Sequence, residues 1–180
     1  MSAIRRTRSG LTWTLAQGHH QMLIDLLEQL NTAIDGPTDD PVVQRLFPRM
    51  IDDDDDADAE LRMLMAGDLL LRRHQAIQRL LTIMSNGTPN RRGRVTVPLR
   101  DDEPGVMLAV LNDVRLALGA RVGTTAVELR QLVDDEDHDT HMLLDTMDVL
   151  AFFQMQLLEQ IDPVAAAHDG LGDLGDLGDG

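Results

Sequence analysis

The chain has 180 residues, 31 of them acidic and 16 basic, and a net charge of −15. Every basic residue is arginine; lysine, cysteine and tyrosine are absent. These absences exclude a phosphate-binding lysine, Schiff-base chemistry, thiol nucleophiles, disulfides, cysteine zinc sites and thiol redox sensing, while the charge repels nucleic acid and anionic membrane on average.

A chain of this length is expected to form one domain, burying about two thirds of its unfolded surface. Arg5, Arg6 and Arg8 do not begin a signal peptide, because Thr12, Thr14, Gln17, His19 and His20 interrupt any apolar run. No stretch is apolar for long enough to span a bilayer. The expected location is the cytoplasm.

Along the chain, residues 3–15 hold two short extended segments about Ser9-Gly10, with Leu11, Trp13 and Leu15 alternating, which is a hairpin pattern. Leu23, Leu26, Leu27, Leu30 and Ile34 then predict a helix over 18–34, ended by Gly36-Pro37. Asp40-Pro41 is a helix start, and Pro48 stops that short helix. Five aspartates at 52–56 predict a solvated linker, since they lack the alternation and central glycine of a calcium loop. A helix over 58–84 follows, with Ile77, Leu80 and Met84 on one stripe and Gly67 at a bend or close contact.

Asn86-Gly87 and Pro89 break that helix. Val95, Val97 and Leu99 alternate in a strand that Pro98 places at an edge or an end. Asp101 or Asp102 is expected to cap the next helix, whose buried face is Met107, Leu111, Val114, Leu118 and Val122. A small helix at 125–132, the acidic run 134–137 and a last helix at 139–161 complete the pattern. The last helix is apolar around much of its circumference and is expected to be central. Apolar surface on the last two helices suits a homodimer seam as well as a core, and periodicity does not separate the two. The tail 163–180, with its Leu-Gly-Asp repeat, is expected to be disordered. The predicted fold is α+β and mostly α: four to five helices with a small antiparallel sheet, made of the N-terminal hairpin and the strand near 94–98, in one regulatory domain over 3–162.

The segment NDVRLALG at 112–119 resembles the actinobacterial domain-of-unknown-function family that includes the oxidative-stress transcriptional regulator AosR. The arginine-rich hairpin, DDPVVQRLFP at 39–48 and the order GRVTV then VLNDVRLALG extend the resemblance over about 3–160. It implies a non-enzymatic regulator acting with the transcription machinery. Family genes often lie near a Clp protease adaptor and a sulfur-carrier cysteine pathway. The chain departs from any thiol-switch version of that role, having no cysteine.

No catalytic residue, cofactor or metal site is assigned. Asn112, Asp113, Arg115 and Gly119 form the signature of the resemblance; nothing nucleophilic or metal-like surrounds them, so they are expected to fix their helix in place. Residues 118–132 match a helix-turn-helix pattern only loosely, and the four acids that follow weigh against DNA contact there. His138 and His141 have metal-ligand spacing but sit in an acidic loop, where histidines usually face solvent. The methionines are expected to fill core gaps rather than sense oxidation.

Charge segregation is more informative. Residues 1–13 and 85–100 hold seven arginines and no acid. If the hairpin pairs with the 94–98 strand, Arg5, Arg6, Arg8, Arg91, Arg92 and Arg94 are expected to converge on one basic face that meets DNA or an acidic protein partner. The alternative is a protein-interaction adaptor without nucleic-acid contact, linked to Clp proteolysis. Trp13, the sole tryptophan, is expected to pack under the sheet.

Overall fold

The alternation of Leu11, Trp13 and Leu15 with small polar residues makes a strand whose apolar side must be covered, because an isolated hairpin is marginal in water. A computed structural model, which describes residues 2–7, 10–51, 54–123 and 138–161, shows how this is done. Strands β1 (Ala3–Thr7) and β2 (Gly10–Ala16) form the expected hairpin. Gly10 opens β2 at φ 121°, where a side chain is strained, and a Cβ there would stand 3.2 Å from the Leu99 carbonyl. Helix α1 (Gln17–Ala33) follows directly, then the short α2 (Pro41–Leu46). The Asp40 carboxylate caps α2 by accepting from the Val42 N–H, with proline at the first position.

Helix α3 (Asp55–Ser85) begins inside the aspartate run, so that run is not wholly a linker. Asp54 caps it, accepting from the Asp56 and Ala57 N–H groups. Acids suit this end because they face the positive pole of the helix dipole. Asp58, one turn in, is buried and accepts from the backbone N–H groups of Met50 and Ile51, which fastens the preceding loop to the helix. At Gly67 the helix runs on, and a Cβ would meet nothing within 4 Å, so the expected close contact is absent.

Two strands then complete the sheet, β3 (Thr88–Pro89) and β4 (Arg94–Leu99), in the order β1-β2-β4-β3 with all neighbours antiparallel. Strand β3 pairs only with Val95 and Thr96, leaving Pro98 where β4 has no second neighbour and needs no further donor. Helices α4 (Glu103–Val122) and α5 (His138–Ile161) follow. Asp102 precedes α4, but its side chain makes no capping bond. Glu103, buried at the first position of the helix, instead reaches back and accepts from the backbone N–H and Nε of Arg100, which ties the end of β4 to α4. The predicted helix at 125–132, and with it the second half of the helix-turn-helix, lies outside the described residues, as do Arg8 and the tail. The architecture is mostly helical with a small four-stranded antiparallel sheet, as expected, β3 being the addition.

The helices cover one face of the sheet. Leu11, Trp13, Leu15, Val95, Val97 and Leu99 meet α1, α3, α4 and α5 in one continuous core. Trp13 is fully buried; its ring meets Phe153 edge-on at 5.1 Å. Its indole N–H donates to Gln156 Oε1 at 3.4 Å, and Gln156 also exchanges two bonds with Ser2. Thus α5 is strapped to the sheet by a polar bond that satisfies the buried indole. The last helix is central on one side only: Leu150, Phe153 and Leu157 are buried, while Phe152, Met155 and Leu158 are exposed. On α4, Met107, Leu111 and Val114 are buried, but Val122 is exposed. No helix among the described residues is long and apolar enough to cross a membrane.

Replacing Trp13 with alanine removes the largest buried ring, and by comparison with other core deletions is expected to cost about 3–5 kcal/mol. Phe152→Ala, on the exposed side of the same helix, should cost less than about 1 kcal/mol. Urea unfolding monitored by circular dichroism tests both; equal losses would show that α5 is not one-sided.

Candidate functional site

The sheet register decides where the arginines go. On the covered face Ile4 stands opposite Trp13, and Trp13 opposite Val97; the other face carries Arg5, Thr12, Thr14, Arg94, Thr96 and Pro98, none of them buried. Arg5 pairs with Thr12, which pairs with Pro98, whereas Arg94 pairs with Ala16. Arg5 and Arg94 therefore share a face but sit four residues apart in level, about 13 Å along the strands. Arg91 and Arg92 lie beyond Arg94, in the β3–β4 turn. The hairpin does pair with β4, but the register sends the two arginine groups toward opposite ends of the sheet.

Their electrostatic states differ as well. Arg6 shares the covered side with Leu11, reaches past the sheet and pairs with Asp101 at 2.9 Å. Nearby, Arg79 pairs with Asp102 at 2.6 Å and Arg100 with Glu103 at 2.7 Å, so this end of the sheet is internally neutralised. The Arg79 hydrogen bond holds the Asp102 carboxyl below its usual range, and the Glu103 hydrogen bond raises Arg100. Arg5, Arg91 and Arg92 are exposed and have no side-chain ion pair among the described residues. Arg94 is half-buried.

The turn carrying Arg91 and Arg92 is rigid. The Asn90 side-chain oxygen accepts from the Arg92 N–H at 2.9 Å and the Arg94 N–H at 3.2 Å. Gly93 adopts φ 67°, its N–H donates to the Asn90 carbonyl, and its own carbonyl accepts from Gln17 N–H at the start of α1. Two unpaired guanidiniums are thus presented from a turn tied to the body of the protein, with little backbone entropy left to lose on contact.

The α4 residues hold helices together. Asp113 forms an ion pair with Arg73 of α3, both about one fifth exposed. Arg73 also donates to the Leu46 carbonyl at the end of α2 and lies 5.2 Å over the Phe47 ring. Arg115 donates to Gln154 Oε1 of α5 at 2.6 Å. Asn112 is exposed, and Gly119 is half-buried in the last turns of α4. The anchors are therefore Asp113 and Arg115, and they reach neighbouring helices.

Sequence reasoning missed Arg73 and His74. Arg73 draws together α2, α3 and α4, while His74 lies between Asn31 of α1 at 3.0 Å and Asp35, just past the end of that helix, at 2.8 Å. The partners stand 27 to 43 positions away, and no local spacing encodes them. Among the described residues no three His, Asp or Glu side chains gather into a metal-ligand set, and His141 is exposed. An open groove of about 520 Å³ between α1, α2 and α4 is lined by Leu26, Leu30, Val42 and Leu118, with Arg121 and Asp40 paired at its rim.

A family model described as "Domain of unknown function (DUF2017)" matches residues 1–161. No curated protein and no solved structure matches the chain.

Two outcomes follow for these contacts. Asp113→Ala and Arg73→Ala each strand a half-buried partner and should cost about 1–3 kcal/mol, with the double variant less than additive, while Asn112→Ala stays within about 0.5 kcal/mol. Denaturant titration of the four proteins checks this. The folded state lowers the Asp102 carboxyl, so its pairing with Arg79 stabilises above the ordinary carboxylate range and is lost as pH falls through the lowered value. Carboxyl NMR titration should place Asp102 below ordinary aspartates in the native chain and return it toward them in Arg79→Ala.

Proposed function

The chain belongs to that family, and from the state of its arginines we propose that it is a non-enzymatic cytoplasmic regulator of the AosR type, acting by recruitment within the transcription machinery. The supporting observation is the pair Arg91 and Arg92, unpaired on a braced turn in a chain with about twice as many acids as arginines. Among the described residues Arg5, Arg45 and Arg72 are exposed without an ion pair as well, but Arg91 and Arg92 stand side by side on a braced turn, and a rigid turn is an economical way to offer them to an anionic surface.

Two guanidiniums do not hold a duplex unaided. Two phosphate contacts correspond to a slope of about −2 in log affinity against log salt, far below that of a dedicated DNA-binding protein. The remaining charge opposes approach. The turn therefore acts as a supporting contact that sets orientation once a protein partner has brought the chain to its target. Arg5, about 13 Å or more away, is a separate contact point. The internally paired end at Arg6, together with the net charge, favours a second reading, a protein adaptor of the Clp-linked kind that never touches nucleic acid.

Titration of the purified chain against duplex DNA at low and physiological salt, beside Arg91→Ala/Arg92→Ala and Arg5→Ala, separates the two readings. The recruitment reading expects weak binding at low salt, a slope near −2, and its loss in the double variant. No binding at low salt leaves the adaptor reading.

A further inference from the structure

We infer that the outward stripe of α5 is a docking surface for a basic amphipathic helix of a partner protein. His141, Asp145, Asp148, Phe152, Met155 and Glu159 follow one another at spacings of 4, 3, 4, 3 and 4 and are all exposed. They form one straight outward stripe along which a second helix can lie. It runs opposite the buried stripe of Leu150, Phe153 and Leu157 and extends about 27 Å, the length of a partner helix of about 18 residues.

Toward its C-terminal half the stripe is apolar at Phe152, 41% exposed, and Met155, 51% exposed, with Leu158, also 51% exposed, flanking it; the three cluster within two turns, whereas singly scattered apolar residues need no explanation. Phenylalanine and methionine suit such a surface because the thioether adapts to different partner side chains. Beside Phe152 a cleft of about 550 Å³ opens, lined by Ser2, His19, Asp145, Val149 and Phe153 as well as Phe152. It offers depth for one anchoring side chain of the incoming helix.

Charge names the occupant. No arginine or lysine follows Arg130 anywhere in the sequence, so the stripe carries carboxylates on either side of its apolar pair, Asp145 and Asp148 before it and Glu159 after it, and no arginine or lysine of its own. A second copy seated antiparallel with the two Phe152 rings facing each other would set Asp145 against Glu159, which is repulsive. A helix with leucine-like anchors on one face and arginine or lysine beside them satisfies both features at once. The surface is independent of the arginine turn.

The test titrates the full chain with a dye-labelled amphipathic peptide of about 18 residues made of leucine and lysine, beside a scrambled peptide of the same composition and a leucine–glutamate counterpart. Anisotropy measures binding. Emission of Trp13, the sole tryptophan, reports on the site because its ring meets Phe153, the neighbour of Phe152. The amphipathic cationic peptide should bind about tenfold or more tightly than either control and shift Trp13 emission. Met155→Asp/Leu158→Asp should lose about tenfold in affinity with its circular dichroism unchanged, Asp145→Asn/Glu159→Gln should weaken binding and flatten its salt dependence, and Arg91→Ala/Arg92→Ala should leave it unaltered. Equal binding of the scrambled peptide, or full binding by the Asp145→Asn/Glu159→Gln protein, would overturn the proposal. So would a doubled mass in solution that disappears in the Met155→Asp/Leu158→Asp protein, which would assign the surface to a second copy.

Discussion

The burial of Trp13 is the constraint on which the other elements depend. Its strand belongs to a sheet whose members are two to seven residues long, too short to persist without a cover. The indole is fully buried and brings a polar N–H with it. Burial is therefore favourable only where an acceptor waits, and Gln156 on α5 supplies it while also holding Ser2 at the start of β1. One side chain thereby joins the first strand, the second strand and the last helix, across more than 140 positions of chain.

Helix α4 is the second joint, and it works by charge as well as by packing. Its apolar face enters the core through Met107, Leu111 and Val114, while Asp113 and Arg115 leave that face in different directions to α3 and α5. Apolar packing alone tolerates small rotations of a helix about its axis; two directional contacts on either side of the stripe do not. The cost is desolvation of partly buried charge, kept moderate because Arg73 and Asp113 each retain about one fifth of their exposure.

The same economy organises the surface. Near the end of β4, arginines and acids neutralise each other at close range, so that region offers a partner little net charge. Among the described residues the β3–β4 turn keeps its two guanidiniums unpaired, and α5 presents carboxylates and no arginine or lysine. Short-range pairing thus converts an acidic composition into a few separated places where uncompensated charge of either sign remains.

Much of this was legible from local pattern. Leu11-Trp13-Leu15 and Val95-Val97-Leu99 announced strands, Asp40-Pro41 announced a helix start, and the absence of lysine and cysteine removed whole classes of chemistry, because each depends on residues within a few positions or on composition alone. The part of the site that was not legible depends on distance through space. Arg5 and Arg94 were expected on one face and do share it, but only the register of β1 on β2 and β2 on β4 reveals the four-residue offset between them. Which arginines stay free was equally hidden, since Arg6 finds Asp101 across 95 positions and Arg73 finds Asp113 through the packing of two helices. By itself the sequence determined the elements, their apolar faces and the chemistry the chain cannot perform. The tertiary structure alone decided which charges cancel and which face of the last helix is left to solvent, because ion pairing and burial act between residues that the chain order does not bring together.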